Sequence, residues 1–441
     1  MRNMQNFDGP RKLSTALDSS RWLSMFRPSL FLVLCSSFLL SSCSFSKKSQ
    51  PGPSSGNEES ARDAELAPLL VAADYGSFND PVLADYVASV GRRLAPHTQR
   101  PYLPYRFLLS NAPAPSAAAL PGGTVILSRG LVAQLQNEAQ LAAILAHNLA
   151  HITARDPGPR FLPRASYADS SSMWDGLIAA TGAPPTLPHT REQERQADAA
   201  AITTLTAAGY DPREYAAALE LLAHLGENPW NTIHPHSPDS LSGIRDRIAK
   251  KDPSDLSNPS DPSDLSFTGE ANFRQFTLLL RSQKNALLTL AQAQAALVRD
   301  KNPRRSQTLA EQALRLLPND YAANLIMANA LNAGGQISEA RHYARLAMSI
   351  HPDAPAALLT LAQSDVTDHN YSAALARLDA YAALLPRNTH IAFYQGLCHE
   401  AMNQIPPATA AFNRFLRGPS PNPAQEEYAR RRLVAWARDR R

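Results

Sequence analysis

Pro318, Pro352 and Pro386 stand thirty-four residues apart, and this period constrains the chain more than any other feature of its sequence. A fixed period of that size marks a supersecondary unit that cannot bury its own apolar face and must stack on its neighbours. Small residues recur in register between the prolines: Ala328, Ala340 and Ala347, then Ala362 and Ala374, then Gly396 and Ala408. Two helices approach closely only where side chains are small, and a proline ends each second helix. Tyr381 and Phe415 fall at the third small position, so the later units depart from the pattern. Asn285–Leu317 fits as a weaker first unit. Three or four units suffice for a superhelix with a concave face. An ordinary helical bundle is the alternative, and a period held three times argues against it.

Upstream, His147 and His151 lie four residues apart in the alanine-rich run Leu141–Asp156. On a helix that spacing puts both imidazoles on one face, one turn apart. It is the first half of the zinc site of His-Glu-x-x-His peptidases, where the glutamate is the general base. Here that position is Asn148. An amide can hydrogen-bond a water but cannot take and return its proton. Around this pair, helical patterning begins near Ala61 and continues through Leu83–Leu94. Tyr105–Leu109 and Thr124–Ser128 read as strands on either side of the turn Pro121-Gly122-Gly123. Leu131–Leu135, Ala139–Ala154 and Arg191–Ala208 read as helices, the last closed by Gly209 with Pro212 beyond. Asp156–Pro188 is a proline-rich loop containing Trp174.

The N-terminus reads as a targeting segment. Phe31–Leu40 is apolar but too short to span a bilayer, and Arg21 and Arg27 precede it. Leu40-Ser41-Ser42-Cys43 resembles the lipobox of bacterial lipoproteins, which implies a lipid on Cys43 and an outer-membrane destination from Ser44. A plain secretory signal cleaved nearby is the alternative. Both Met1 and Met25 offer a start, and Met25 gives the more ordinary signal length. With Cys35 removed and Cys43 acylated, only Cys398 remains, so the mature chain holds no internal disulfide. Residues 44–60 read as a flexible tether, and Asp252–Ser266, which repeats Pro-Ser-Asp-Leu-Ser, as a linker. A formal charge of +4 with 19% charged residues is too even to argue for nucleic acid.

Leu120–Leu131, the two-histidine run and Arg191–Asp198 resemble the BepA-, HtpX- and Oma-type zinc peptidases, metallopeptidase family forty-eight. The likeness extends from about Ala61 to Ile248. It implies an α+β fold: a mostly helical gluzincin-type domain with a small sheet. The repeats that follow resemble the tetratricopeptide repeat, an α-helical solenoid. The organisation expected is thus signal and lipobox 1–43, tether 44–60, metallopeptidase-like domain 61–250, linker 251–270 and repeats 271–441. By the same resemblance His147, His151 and Glu194 hold one zinc ion. Asp198, one turn on, holds a ligand histidine by its second ring N–H. His234-Pro235 with Arg245 or Arg247 fits a family element whose histidine can close the open zinc position, His236 being the neighbouring alternative. Glu138 and Glu192 are the other carboxylates near the motif, and neither is placed by the sequence as a substitute base.

The resemblance implies a periplasmic, lipid-anchored protein of the outer membrane acting in outer-membrane protein assembly or quality control. Its partners would be unfolded or assembling outer-membrane proteins, with the barrel-assembly machinery docking on the repeats. Asn148 favours an impaired zinc peptidase that binds clients, with Thr124–Ser128 offering a strand edge to an extended peptide. An active metalloendopeptidase using another base, and a metal-free repeat adaptor, are the alternatives.

Overall fold

The computed structural model describes residues 53–156, 189–226, 229–234, 236, 238–250, 267–352, 354–386, 390–418 and 423–438. The signal segment with Cys43, Met25, Trp174, Pro235 and Asp252–Ser266 lie outside the described residues. Two helices, α1 (Pro53–Ala73) and α2 (Pro81–Leu94), lead into a three-stranded sheet. The strands are β1 (Arg106–Ser110), β2 (Ala117–Ala119) and β3 (Thr124–Ser128). Helices α3 (Arg129–Gln134), α4 (Glu138–Ala154), α5 (Arg191–Ala207), α6 (Arg213–His224), α7 (Pro229–Ile233) and α8 (Pro238–Lys250) follow. The described residues are mostly helical with one small sheet, as the sequence implied.

α4 is defined by its ends. Asn137 accepts from the Gln140 N–H at 2.8 Å, and the helix stops where Arg155 turns left-handed at φ 51°. Every residue from Glu138 to Ile152 is buried, and only the last two residues of the helix come out of the core. α5 starts on a capping box in which Thr190 and Gln193 satisfy each other's backbone N–H. α2 sits against β1 because Gly91 leaves room for the Phe107 ring, which a Cβ would meet at 2.2 Å.

The sheet order corrects one expectation. β3 is the central strand, parallel to β1 and antiparallel to β2, so Thr124–Ser128 has no free edge. The outer strands are β1 and β2, and β2 packs on α4. The stretch read as a tether also differs at its end: α1 begins at Pro53, and Ser60 is buried with its hydroxyl donating to the Gly122 carbonyl at 2.5 Å.

The repeat-like C-terminal region comprises α9 (Glu270–Val298), α10 (Pro303–Leu316), α11 (Tyr321–Ala333), α12 (Ile337–Ile350), α13 (Pro355–Thr367), α14 (Tyr371–Leu384), α15 (Ile391–Ala401), α16 (Ile405–Arg417) and α17 (Pro423–Arg438). All the small residues picked out by the period are buried: Ala328, Ala340, Ala347, Ala362, Ala374, Gly396 and Ala408. A Cβ on Gly396 would meet the Phe412 ring at 2.5 Å, which is why the position stays small. Tyr381 and Phe415 are buried too, so the larger side chains fill the later units instead of breaking them. Cys398 is a free, buried core residue.

The two parts share packing. Phe273, Leu280 and Leu287 of α9 join the core formed by α2, the sheet, α4, α5 and α6. Ala67, Leu70 and Val71 of α1 join the core of the later repeats together with Ile126 of β3. Buried Arg129 donates to both carboxylate oxygens of Asp320, the cap of α11, at 2.6 and 2.9 Å. First helix of the array and former linker end therefore both dock on the front domain: the Thr268 carbonyl accepts from Ala139 N–H at 3.0 Å.

Candidate metal centre

Four elements bring one cluster together. α4 supplies His147 and His151, α5 supplies Glu194 and Asp198, α6 supplies Tyr215, and the end of α7 supplies His234 with His236 just beyond. His147, His151, Glu194 and His234 are all buried. The two Nε2 atoms of His147 and His151 lie 3.1 Å apart. Glu194 places Oε2 at 3.4 Å from His147 Nε2 and Oε1 at 3.4 Å from His151 Nε2. His234 Nδ1 stands 3.0 Å from His147 Nε2 and 3.2 Å from Glu194 Oε1.

These separations fit zinc. Bonds of about 2.0–2.1 Å set the donors of a tetrahedron roughly 3.3 Å apart. The chemistry of the donors agrees. His151 Nδ1 faces Asp156 Oδ2 at 2.9 Å, and a carboxylate only accepts, so Nδ1 carries the hydrogen and Nε2 is a bare lone pair. His147 Nδ1 is likewise occupied, by the Tyr215 hydroxyl at 2.7 Å. Glu194 Oε2 is buried without a hydrogen-bond partner. Lone pairs crowded at this distance repel unless a cation or a shared proton lies between them. The set His147, His151, Glu194 and His234 can hold a metal ion in this way.

The electrostatics point the same way. Burial alone would raise the Glu194 carboxyl, but His234, His147 and His151 outweigh it and hold it far below the carboxylate range. Asp198 is also pulled down against its burial, by His147 and His236. Burial, reinforced by Asp198, pushes the Tyr215 phenol well above its ordinary value, so it keeps its proton. His189, which stacks on His151 with ring centroids 3.8 Å apart, is lowered by burial and by His151 to about 4.

Asn148 is fully buried between the two histidines. Its Nδ2 donates to the Ile144 carbonyl at 2.9 Å, while Oδ1 has no partner. Neither other carboxylate comes to its aid. Glu138 is ten residues away along α4, about 15 Å, and is held by Tyr86, Tyr210 and Arg93. Glu192 is exposed and bound to Arg195 and Gln196. Arg245 and Arg247 are exposed on α8, with Arg245 paired to Glu220, so the expected arginine is not gathered in.

Three contributors were invisible in the sequence. Tyr215, Trp230 and His189 belong to no spacing rule. Trp230 lies over His234 with centroids 4.3 Å apart and ties α7 to the strand region through its N–H to the Pro115 carbonyl, 3.1 Å. Five histidines, 147, 151, 189, 234 and 236, thus meet at one centre.

A buried two-histidine helix, a carboxylate from a following helix and a flanking small sheet define a metallopeptidase-type domain. The model of peptidase family M48 matches residues 81–248 of this chain. The chain is 29% identical over 199 residues to the beta-barrel assembly-enhancing protease of Escherichia coli K12, covering 40% of this chain and 41% of that protein. It is 28% identical over 202 residues to a putative beta-barrel assembly-enhancing protease of Vibrio cholerae, covering 41% and 42%. Mitochondrial metalloendopeptidase OMA1 of Schizosaccharomyces pombe is 29% identical over 167 residues, covering 34% and 48%. The matched part thus spans less than half of each of these relatives. Among solved structures, yeast Tom70 aligns with a TM-score of 0.33 and 14% identity over 66% of this chain and 65% of that one.

Proposed function

We propose that this protein is a zinc-binding, catalytically impaired M48 metallopeptidase that holds unfolded or assembling outer-membrane proteins. It would act at the periplasmic face of the outer membrane, anchored by a lipid on Cys43, with the repeats docking the client or the barrel-assembly machinery. One observation carries this reading: a complete donor set is gathered on the two-histidine helix, while Asn148 stands at the sequence position of the expected base.

His147, His151 and Glu194 would hold one zinc ion, and His234 would occupy the remaining position. Zinc there would polarise a peptide carbonyl and acidify its bound water. Asn148 can neither accept nor return that proton, which removes roughly 10²–10⁴ in rate, about 3–5 kcal/mol of barrier. His234 adds a second restraint, since substrate or water must displace it. An extended client would pair with β2, whose outer edge carries no strand among the described residues. The names of the Escherichia and Vibrio relatives support the assembly role. No helix among the described residues is long and apolar enough to cross a membrane.

The second reading, an active metalloendopeptidase, is favoured by the same complete donor set. Zinc content and casein proteolysis of the chain from Ser44 onward, beside its Asn148→Glu variant, separate the two. Zinc bound, wild type inert and variant active supports the impaired enzyme. A wild type that already cleaves casein sinks it.

A further inference from the structure

Asp198 was expected to grip a ligand histidine directly, and the structure puts a phenol between them. His147 Nδ1 and Asp198 Oδ1 are 3.4 Å apart, too far for a strong charge-assisted hydrogen bond. Tyr215 fills the gap: its hydroxyl donates to Asp198 Oδ1 at 2.6 Å and lies 2.7 Å from His147 Nδ1. We propose that Tyr215 is a positioning residue that fixes His147 as a metal ligand by relaying the Asp198 carboxylate to its ring. The proposal rests on the zinc reading of His147, His151 and Glu194.

The proton count leaves one arrangement. An ionised carboxylate only accepts, so the single phenolic hydrogen points at Asp198. The phenol oxygen then offers His147 only lone pairs, and His147 Nδ1 must donate to it. An imidazole with its hydrogen on Nδ1 has a bare Nε2, and that is the atom facing Glu194 Oε2 and His151 Nε2. Ring orientation is fixed by the same contact, because Tyr215 is fully buried within the core and cannot swing its hydroxyl aside. The same Asp198 oxygen, Oδ1, also meets His236 Nε2 at 3.1 Å. His151 has the simpler form of the device, its Nδ1 directly on Asp156. The two ligand histidines are thus held by different means, one by a carboxylate and one by a carboxylate acting through a tyrosine.

The test is zinc affinity, measured by competition with a chromogenic chelator on the chain from Ser44 onward. Wild type, Tyr215→Phe, Asp198→Asn and the double variant are compared, since phenylalanine keeps the ring and removes only the hydroxyl. Tyr215→Phe is expected to weaken zinc about 10-fold or more, the scale for partners behind a ligand. Asp198→Asn should cost a similar factor, and the double variant little beyond either single, because the two act in series. Cobalt bound in place of zinc should show shifted visible absorption bands in Tyr215→Phe. Unchanged zinc affinity and cobalt spectrum in Tyr215→Phe, or penalties that simply add, would overturn the relay. So would a fall in melting temperature of the metal-free variant large enough to account for the lost affinity, which would leave Tyr215 a packing role. Failure of the wild type to bind zinc would instead remove the underlying zinc reading.

Discussion

The two ends of α4 both bury ionisable groups, and they treat them in opposite ways. At the first turn, Glu138 accepts from the Tyr86 and Tyr210 hydroxyls at 2.6 and 2.8 Å and pairs with Arg93. Donors and acceptor match there, and nothing is left over. Near the last turn, His147, His151 and His234 turn ring nitrogens toward one another and toward Glu194, whose Oε2 has no partner. His147 Nε2, His151 Nε2 and Glu194 Oε2 face one another with at most the hydrogen of His234 Nδ1 to share, a set that can hold a cation. The lesson is that burial alone does not mark a functional site, because Glu138, His147 and His151 are all buried. The balance of donors against acceptors distinguishes scaffold from centre.

The strongest way to break this comparison is to remove a donor at each end. His147→Ala should abolish stoichiometric zinc, measured by elemental analysis, whereas Glu138→Gln should leave it at one ion per chain. Zinc retained in His147→Ala would discard the ligand assignment. The next largest effect concerns the step that Asn148 withholds. Asn148→Glu should raise casein proteolysis by about 10²–10⁴-fold. No gain with zinc bound would place the block at His234, and His234→Ala in the same background should then release it.

Stability sharpens the contrast from the other side. Glu138→Ala leaves two buried phenols and Arg93 without their acceptor and should cost about 2–4 kcal/mol, read as a lower urea midpoint with zinc stoichiometry unchanged. Loss of zinc in that variant would mean the two ends of α4 are coupled. The smallest effect belongs to a site remote from both. Gly396→Ala drives a Cβ into the Phe412 ring and should cost about 1–2 kcal/mol without touching the metal. If it too lowers zinc affinity, destabilisation itself strips the ion and the comparison loses its force.

Much of the frame was legible because it rests on periodicity. Thr124–Ser128 is the strand expected after the Pro-Gly-Gly turn, and β1 is offset by one residue from Tyr105–Leu109. α4 and α5 match the expected Ala139–Ala154 and Arg191–Ala208 to within a residue at each end. Ala117–Ala119 was missed, since three alanines carry no strand preference of their own and pair only because β3 lies beside them. That omission misplaced the free edge. The first unit expected at Asn285–Leu317 opens on a longer helix: α9 begins at Glu270, and its earlier turns bury Phe273 and Leu280 against the front domain.

His147 and His151 needed only the 3.6-residue turn, and the array needed only its thirty-four-residue period, so the sequence by itself determined both. Local geometry repeats along the chain and leaves its mark on spacing. The family resemblance pointed to His234 with His236 as the alternative, and the tertiary structure decided between their places: His234 enters the cluster and His236 meets Asp198. The tertiary structure alone set Tyr215 between carboxylate and ring, turned Glu192 to solvent and made β3 the inner strand. Each of these depends on how helices far apart in sequence pack against α4. Packing of that kind is set by shape and by the pairing of buried polar atoms, neither of which has a period to read.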